Sequence, residues 1–280
     1  MAQFGLPALH GLLIWWFGTV LILFLDGLPR ATFRWSMAGA TILLAGAVYG
    51  LIVSAADTGV AGAYIAFTCG VAIWGWLEIS FYMGYVTGPR TRHCEHGCGG
   101  WRHFGHAIQA SLYHEIAVLA LAAVVLFLTW NSPNHVGTWT FTVLWWMHQS
   151  ARLNVFLGVS NLNADFLPDH LTHLRGFFRS APMNLLFPFS VTLSTIGAVL
   201  LGQQALAHTA DGFHTVGYTL VTTMMVLAIL EHWFLILPLS VTRIWNGLWQ
   251  WTLFSRGAGG KTPAIDQGPL PRRATIGGRP

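Results

Sequence analysis

Along the 280 residues, polar positions are sparse and are gathered into short intervals between long apolar runs. A helix needs about 20 mainly apolar residues to cross a bilayer. Seven runs meet that need, at approximately Pro7–Leu25, Ser36–Val53, Val60–Met83, Ala107–Trp130, Gly137–Leu157, Asn184–Leu206 and Gly217–Leu239. The pattern predicts an all-α integral membrane protein, a seven-transmembrane-helix bundle without internal repeat or soluble domain. Two amphipathic stretches are predicted to lie at the interface. In the first, Leu167, Leu171, Leu174, Phe177 and Phe178 recur near helical spacing opposite Asp169, His170, His173 and Arg175, with Pro168 suited to a first turn. The second holds Ile244, Trp245, Leu248, Trp249, Trp251 and Leu253. Residues 1–254 are therefore expected to form one transmembrane domain. Residues 255–280, basic and rich in Gly and Pro, are expected to be disordered.

Composition agrees with the pattern. The chain is 54% hydrophobic and 9% charged, against about 25% charged in a soluble domain. A net charge of +4 would suggest an anionic partner in a soluble protein, but here its placement says more than its sum, and nucleic acid is not an expected partner. Cys69, Cys94 and Cys98 do not make a disulfide framework. No basic leader precedes the first run, which is read as a retained helix. The many Trp residues, among them Trp15, Trp16, Trp74, Trp76, Trp145 and Trp146, are accounted for by an interfacial belt.

Thirteen of the 14 Lys and Arg residues fall in alternate connections and the C-terminal tail. Arg30 and Arg34 follow the first run, Arg90, Arg92 and Arg102 the third, and Arg175 and Arg179 the fifth. By the positive-inside rule that side is cytoplasmic, which puts the N-terminus in the periplasm and the C-terminus in the cytoplasm. Membrane lipid is the surrounding partner.

Ionisable side chains interrupt the apolar runs. Each costs about 2.5–3.5 kcal/mol near the centre of a spanning helix, so such residues face a protein interior and carry function. Counted at 1.5 Å per residue, Glu78, His114, Glu115, His148, Glu231 and His232 all lie about 9–15 Å from the inner end of their spans. Carboxylate and imidazole at one depth suit iron, manganese or zinc, with one or two iron ions as the leading expectation. Tyr113, Arg152 and Asn154 are candidates for supporting the ligands or meeting a substrate. A buried polar network, with Arg152 paired to Glu115 or Glu231, explains the same residues without metal. A third possibility is axial ligation of haem or bacteriochlorophyll by one histidine. A separate loop, His93, Cys94, His96 and Cys98, with His103 and His106 following, has the donors of a zinc site but not a standard C-x2-C spacing.

Several of these motifs are long enough to be compared as words. Trp74-Gly75-Trp76-Leu77-Glu78-Ile79-Ser80-Phe81, Leu112-Tyr113-His114-Glu115, Ser150 to Val159, Asn163-Ala164-Asp165-Phe166-Leu167-Pro168 and Leu230-Glu231-His232-Trp233-Phe234 together resemble the photosynthetic complex assembly protein 2 family, PuhE. The resemblance spans about residues 10 to 255. It implies a role in assembling, or supplying pigment to, the bacterial photosynthetic reaction centre and core light-harvesting complex. Reaction-centre and antenna subunits or pigment-synthesis enzymes are then the expected partners. It supplies no catalytic mechanism, and a metal-dependent oxidoreductase acting on a tetrapyrrole or isoprenoid stays open beside a non-catalytic scaffold or pigment-binding protein.

Overall fold

The computed structural model describes residues 2–94, 97–162 and 167–237. These all fall within one compact unit, Met1–Leu239, while a second unit, Ser240–Pro280, lies outside the described residues. The second interfacial stretch and the C-terminal tail predicted from sequence belong to that undescribed part.

Among the described residues seven α-helices run in chain order: α1 (Ala2–Asp26), α2 (Phe33–Ser54), α3 (Val60–Tyr82), α4 (Gly100–Thr129), α5 (Val136–Leu157), α6 (Leu186–Ala207) and α7 (Gly212–Phe234). At 22 residues the shortest is about 33 Å long, enough for a hydrocarbon core of about 30 Å. All but α5 are also apolar enough to cross a membrane, so the protein is a multi-pass helical membrane protein with six candidate spans among the described residues. The exception, α5, carries His148, Gln149, Arg152 and Asn154. Among the described residues strand structure is limited to one isolated bridge between Val159 and Ser180.

Local chemistry sets the helix ends. Asp211 caps α7, its carboxylate accepting from the Phe213 and His214 backbone N–H groups at 3.0 and 3.2 Å. This cap starts the helix at Gly212, five residues before the apolar run. Asn184 accepts from Leu186 and Phe187 N–H at 2.9 and 3.1 Å ahead of α6. In α4 the helix begins at Gly100, because Trp101–His106 continue the helical turn in a stretch broken by Arg102, His103 and His106 that the apolar pattern does not count.

Burial is uneven. About half of the apolar window of α3 and of α7 is buried, against 6% in α1. The core therefore lies between α3, α5 and α7, where Phe67, Ile73, Leu77, Phe141, Leu220 and Met224 pack. α1, apolar on all sides, presents Leu13, Phe17 and Phe24 outward, as a helix facing lipid does. Two glycines let α3 and α5 touch: a Cβ on Gly70 would meet the Gly137 carbonyl at 2.8 Å, and one on Gly137 would meet the Ala66 carbonyl at 2.8 Å. Small residues at such a crossing replace hydrophobic drive with close backbone contact.

The connections gather at two ends. At one, Asn134 Nδ2 donates to the carbonyls of Ser54, Asp57 and Gly62, tying the α4–α5 connection to the α2–α3 connection. The other end holds residues 27–34, 83–94, 97–99, 158–162 and 167–182. There His170 Nε2 lies 2.7 Å from the Tyr82 carbonyl, and the Arg179 backbone donates to Val155.

At this second end the stretch predicted as a flat interfacial helix is a 3₁₀ helix, Asp169–Phe177, with Pro168 as its N-cap. Three residues per turn put Leu171, Leu174 and Phe177 on one face, and all three are buried against Ala110 with Phe81, Tyr82 and Phe156 beside them. The tighter turn also carries His173 inward, where the alpha-helical reading had put it on the polar face.

Candidate metal centre and its surroundings

Three of the six residues expected at one depth meet in space. Glu78 from α3, His114 from α4 and His148 from α5 bring one donor atom each to within 4.8 Å of one another. His148 Nδ1 stands 3.3 Å from Glu78 Oε1, and the His114 and His148 ring centroids are 5.7 Å apart. Trp74 stands edge to face against His148 at 5.2 Å, and Phe81 packs on His114 at 4.9 Å.

His114 is 1% exposed, yet neither of its ring nitrogens has a hydrogen-bond partner, and Glu78 Oε1 is likewise buried without one. Buried polar atoms are nearly always paired, because an unmade hydrogen bond there costs about 1–3 kcal/mol. One ring nitrogen of His114, Glu78 Oε1 and a His148 nitrogen, lying within 4.8 Å of one another, fit a cation. Two imidazoles and a carboxylate form the donor set of open iron(II) and zinc centres. A haem or chlorin plane fits less well, since Phe81 and His148 already close over the His114 ring.

The neighbouring candidates are engaged elsewhere. Glu115 is held by Arg152 Nη1 and Gln149 Nε2, and Arg152 Nη2 donates to Ser111 Oγ. Adjacent positions on a helix differ by about 100°, so α4 aims His114 at the cluster and Glu115 at this ion pair. The same rotation separates Glu231 from His232. Glu231 is exposed on α7, whereas His232 is buried and fully bonded: Nδ1 donates to the Ala228 carbonyl at 2.9 Å, so Nε2 accepts from Ser150 Oγ at 3.0 Å. Neither residue of α7 joins the cluster.

Tyr113 is 52% exposed and turned outward. Asn154 is buried and joins α5 to α6, its Nδ2 donating to Ser190 Oγ at 3.1 Å and its carbonyl accepting from Asn184 at 3.1 Å. In the loop, Cys94 and Cys98 lie with His106, while His93 packs near Gly176 and His96 is outside the described residues. Sequence reasoning did not single out Gln149, Ser111 or Ser150 as polar partners. Their signal was position: Ser111 is three residues before His114, and Gln149 and Ser150 fall between His148 and Arg152.

The segment after α3 completes the site. It runs back along α4, so that the Thr87 carbonyl accepts from the His114 backbone N–H at 3.0 Å. Gly88 permits this approach, since a Cβ there would meet the Gln109 carbonyl at 2.1 Å.

Fold and cluster together define a multi-pass helical membrane protein with a three-donor polar centre buried between α3, α4 and α5. The chain belongs to the family described as "Protein of unknown function (DUF3623)", which matches residues 1–258. It is 38% identical over 276 residues to the "Uncharacterized 30.4 kDa protein in puhA 5'region" of Rhodobacter capsulatus, covering 97% of this chain and 98% of that one. No solved structure matches.

Proposed function

We propose that this protein is an assembly or pigment-supply factor for the photosynthetic reaction centre and core light-harvesting complex, with one metal ion, iron first, held by Glu78, His114 and His148. The assembly role is supported by the Rhodobacter capsulatus relative, whose position in the puhA 5' region suggests a photosynthesis gene cluster, and by the motif resemblance to PuhE. The metal is supported above all by His114, which is 1% exposed with both ring nitrogens unpartnered.

The protein crosses a bacterial inner membrane seven times. Although α5 is too polar to qualify by composition, it packs against α3, α4, α6 and α7 and so shares their slab. Arg30, Arg34, Arg90, Arg92, Arg102, Arg175 and Arg179 all belong to the end of the bundle that receives the α1–α2, α3–α4 and α5–α6 connections. Under the positive-inside rule that end is cytoplasmic and the N-terminus is periplasmic.

Three protein donors leave coordination positions open, and a metal there supplies Lewis-acid or redox chemistry to a membrane-soluble tetrapyrrole or isoprenoid. The chain does the rest. Trp74 and Phe81 restrict the space around the two imidazoles. Arg152 neutralises Glu115 one residue along the helix, leaving Glu78 as the carboxylate that faces the histidines.

Metal analysis of detergent-purified wild type and His114→Leu, with membrane absorption spectra of a phototrophic host carrying each, tests both parts. One ion per chain in wild type, absent in the variant, together with fewer assembled complexes, is the expected result. Wild type without metal overturns the centre. A host lacking the chain but assembling normal complexes overturns the assembly role.

A further inference from the structure

A second cluster of metal-type donors lies where the α3–α4 connection meets the start of α4, and the proposed function makes no use of it. His106 Nδ1 is 3.3 Å from Cys94 Sγ and 3.3 Å from Cys98 Sγ. His103 Nδ1 is 3.3 Å from Cys94 Sγ on its other side. Cys94, Cys98 and His106 donors all lie within 4.8 Å of one another.

From these distances we infer that Cys94, Cys98 and His106 hold a zinc ion, with His103 beside Cys94 as the neighbouring fourth donor, in a site separate from Glu78, His114 and His148 and independent of whatever they bind. Zinc–sulfur and zinc–nitrogen bonds of about 2.3 and 2.0–2.1 Å place tetrahedral donors about 3.5 Å apart. All three sulfur–nitrogen edges given above are close to that length. Two thiolates with two imidazoles are also the donor set that selects zinc over the harder ions.

The chain is built to bring them together. His103 and His106 are three apart on α4 and share a face. Gly97, with φ +82°, lets the loop turn between the two cysteines, and Gly100, with φ +59°, turns it again into the helix. The His103 ring lies on Phe156 at 5.5 Å with an interplanar angle of 26°, and against Phe177 at 5.3 Å, which fixes its rotation.

The consequence reaches the buried cluster through the backbone. The same connection carries Thr87, whose carbonyl holds the His114 N–H. Zinc at its far end clips residues 87–94 down along α4, so the site acts as a fastener for the segment that covers His114.

The test uses full-length, untagged protein in detergent. With zinc bound, a maleimide reagent labels Cys94 and Cys98 slowly, and a chelator raises their labelling at least tenfold, while Cys69 in α3 serves as the internal reference. Cobalt substitution gives a thiolate charge-transfer band that is lost in Cys98→Ser and kept in Glu78→Gln. Equal labelling with and without the chelator in wild type overturns the proposal, as does cobalt binding without a thiolate band. Because labelling is read on wild type, a variant that fails to fold leaves the answer intact.

Discussion

Asn134 and His114 are both buried, at 0% and 1% exposure, on opposite halves of the same bundle. Asn134 uses its side chain fully. Its Nδ2 donates to Ser54, Asp57 and Gly62 carbonyls, and its Oδ1 accepts from Val136 N–H at 3.1 Å. His114 makes none of the ring hydrogen bonds open to it. One polar side chain therefore has its reason inside the protein, as the joint between two connections and an acceptor for the first N–H of α5. The other has no partner among the chain's own atoms, which is why the proposed ion is placed there.

Perturbations separate these two kinds of burial. The largest loss is expected from Arg152→Leu, which strands the Glu115 carboxylate and costs about 3–5 kcal/mol. Thermal unfolding in detergent checks this, and the double change with Glu115→Leu should recover most of the loss. Next, Asn134→Ala should cost roughly 2–4 kcal/mol, since buried carbonyls and a helix start lose their partner together. A drop below about 0.5 kcal/mol would show that water serves the joint equally well. His114→Leu should move stability by less than about 1 kcal/mol in metal-free protein, because no hydrogen bond is broken, while removing the bound metal. A collapse of the metal-free fold on this change would put His114 in the same class as Asn134.

The smallest effect is a pH dependence at the 3₁₀ helix. Burial lowers the pKa of His173 from its usual value. Its unfolded form then takes up a proton first as pH falls, so the contribution is complete above the ordinary pKa of about 6.5 and is lost below it. Amide protection factors of residues 169–177, corrected for the intrinsic pH dependence of exchange, should fall below that pH, and His173→Phe should flatten the response.

The sequence carried depth well and azimuth poorly. Apolar runs located all seven helices, and counting residues put Glu78, His114 and His148 at one level, where they do meet. Nothing in the spacing says which way a helix is rotated. His114 and Glu115 were both candidates, as were Glu231 and His232, and each pair splits to different neighbours in the fold. The Cys and His loop was legible as a donor set, Cys94 and Cys98 with His103 and His106 following, but nothing in its spacing says that His93 turns away toward Gly176 while His106 reaches both sulfurs. Period also misled at Asp169–Phe177, where a three-residue turn and a 3.6-residue turn share Leu171 and Leu174 and part company at His173.

One consequence follows for biogenesis. On the seven-span reading, α5 is the span least able to enter the bilayer alone, because Arg152 opposes partition by about 2.5–3.5 kcal/mol. Its counter-ion, Glu115, is on the span synthesised just before it, and only six residues separate α4 from α5. The pair leaves the translocation channel as a hairpin with its charges already matched, so the order of synthesis, and not the hydropathy of α5, carries that helix into the membrane.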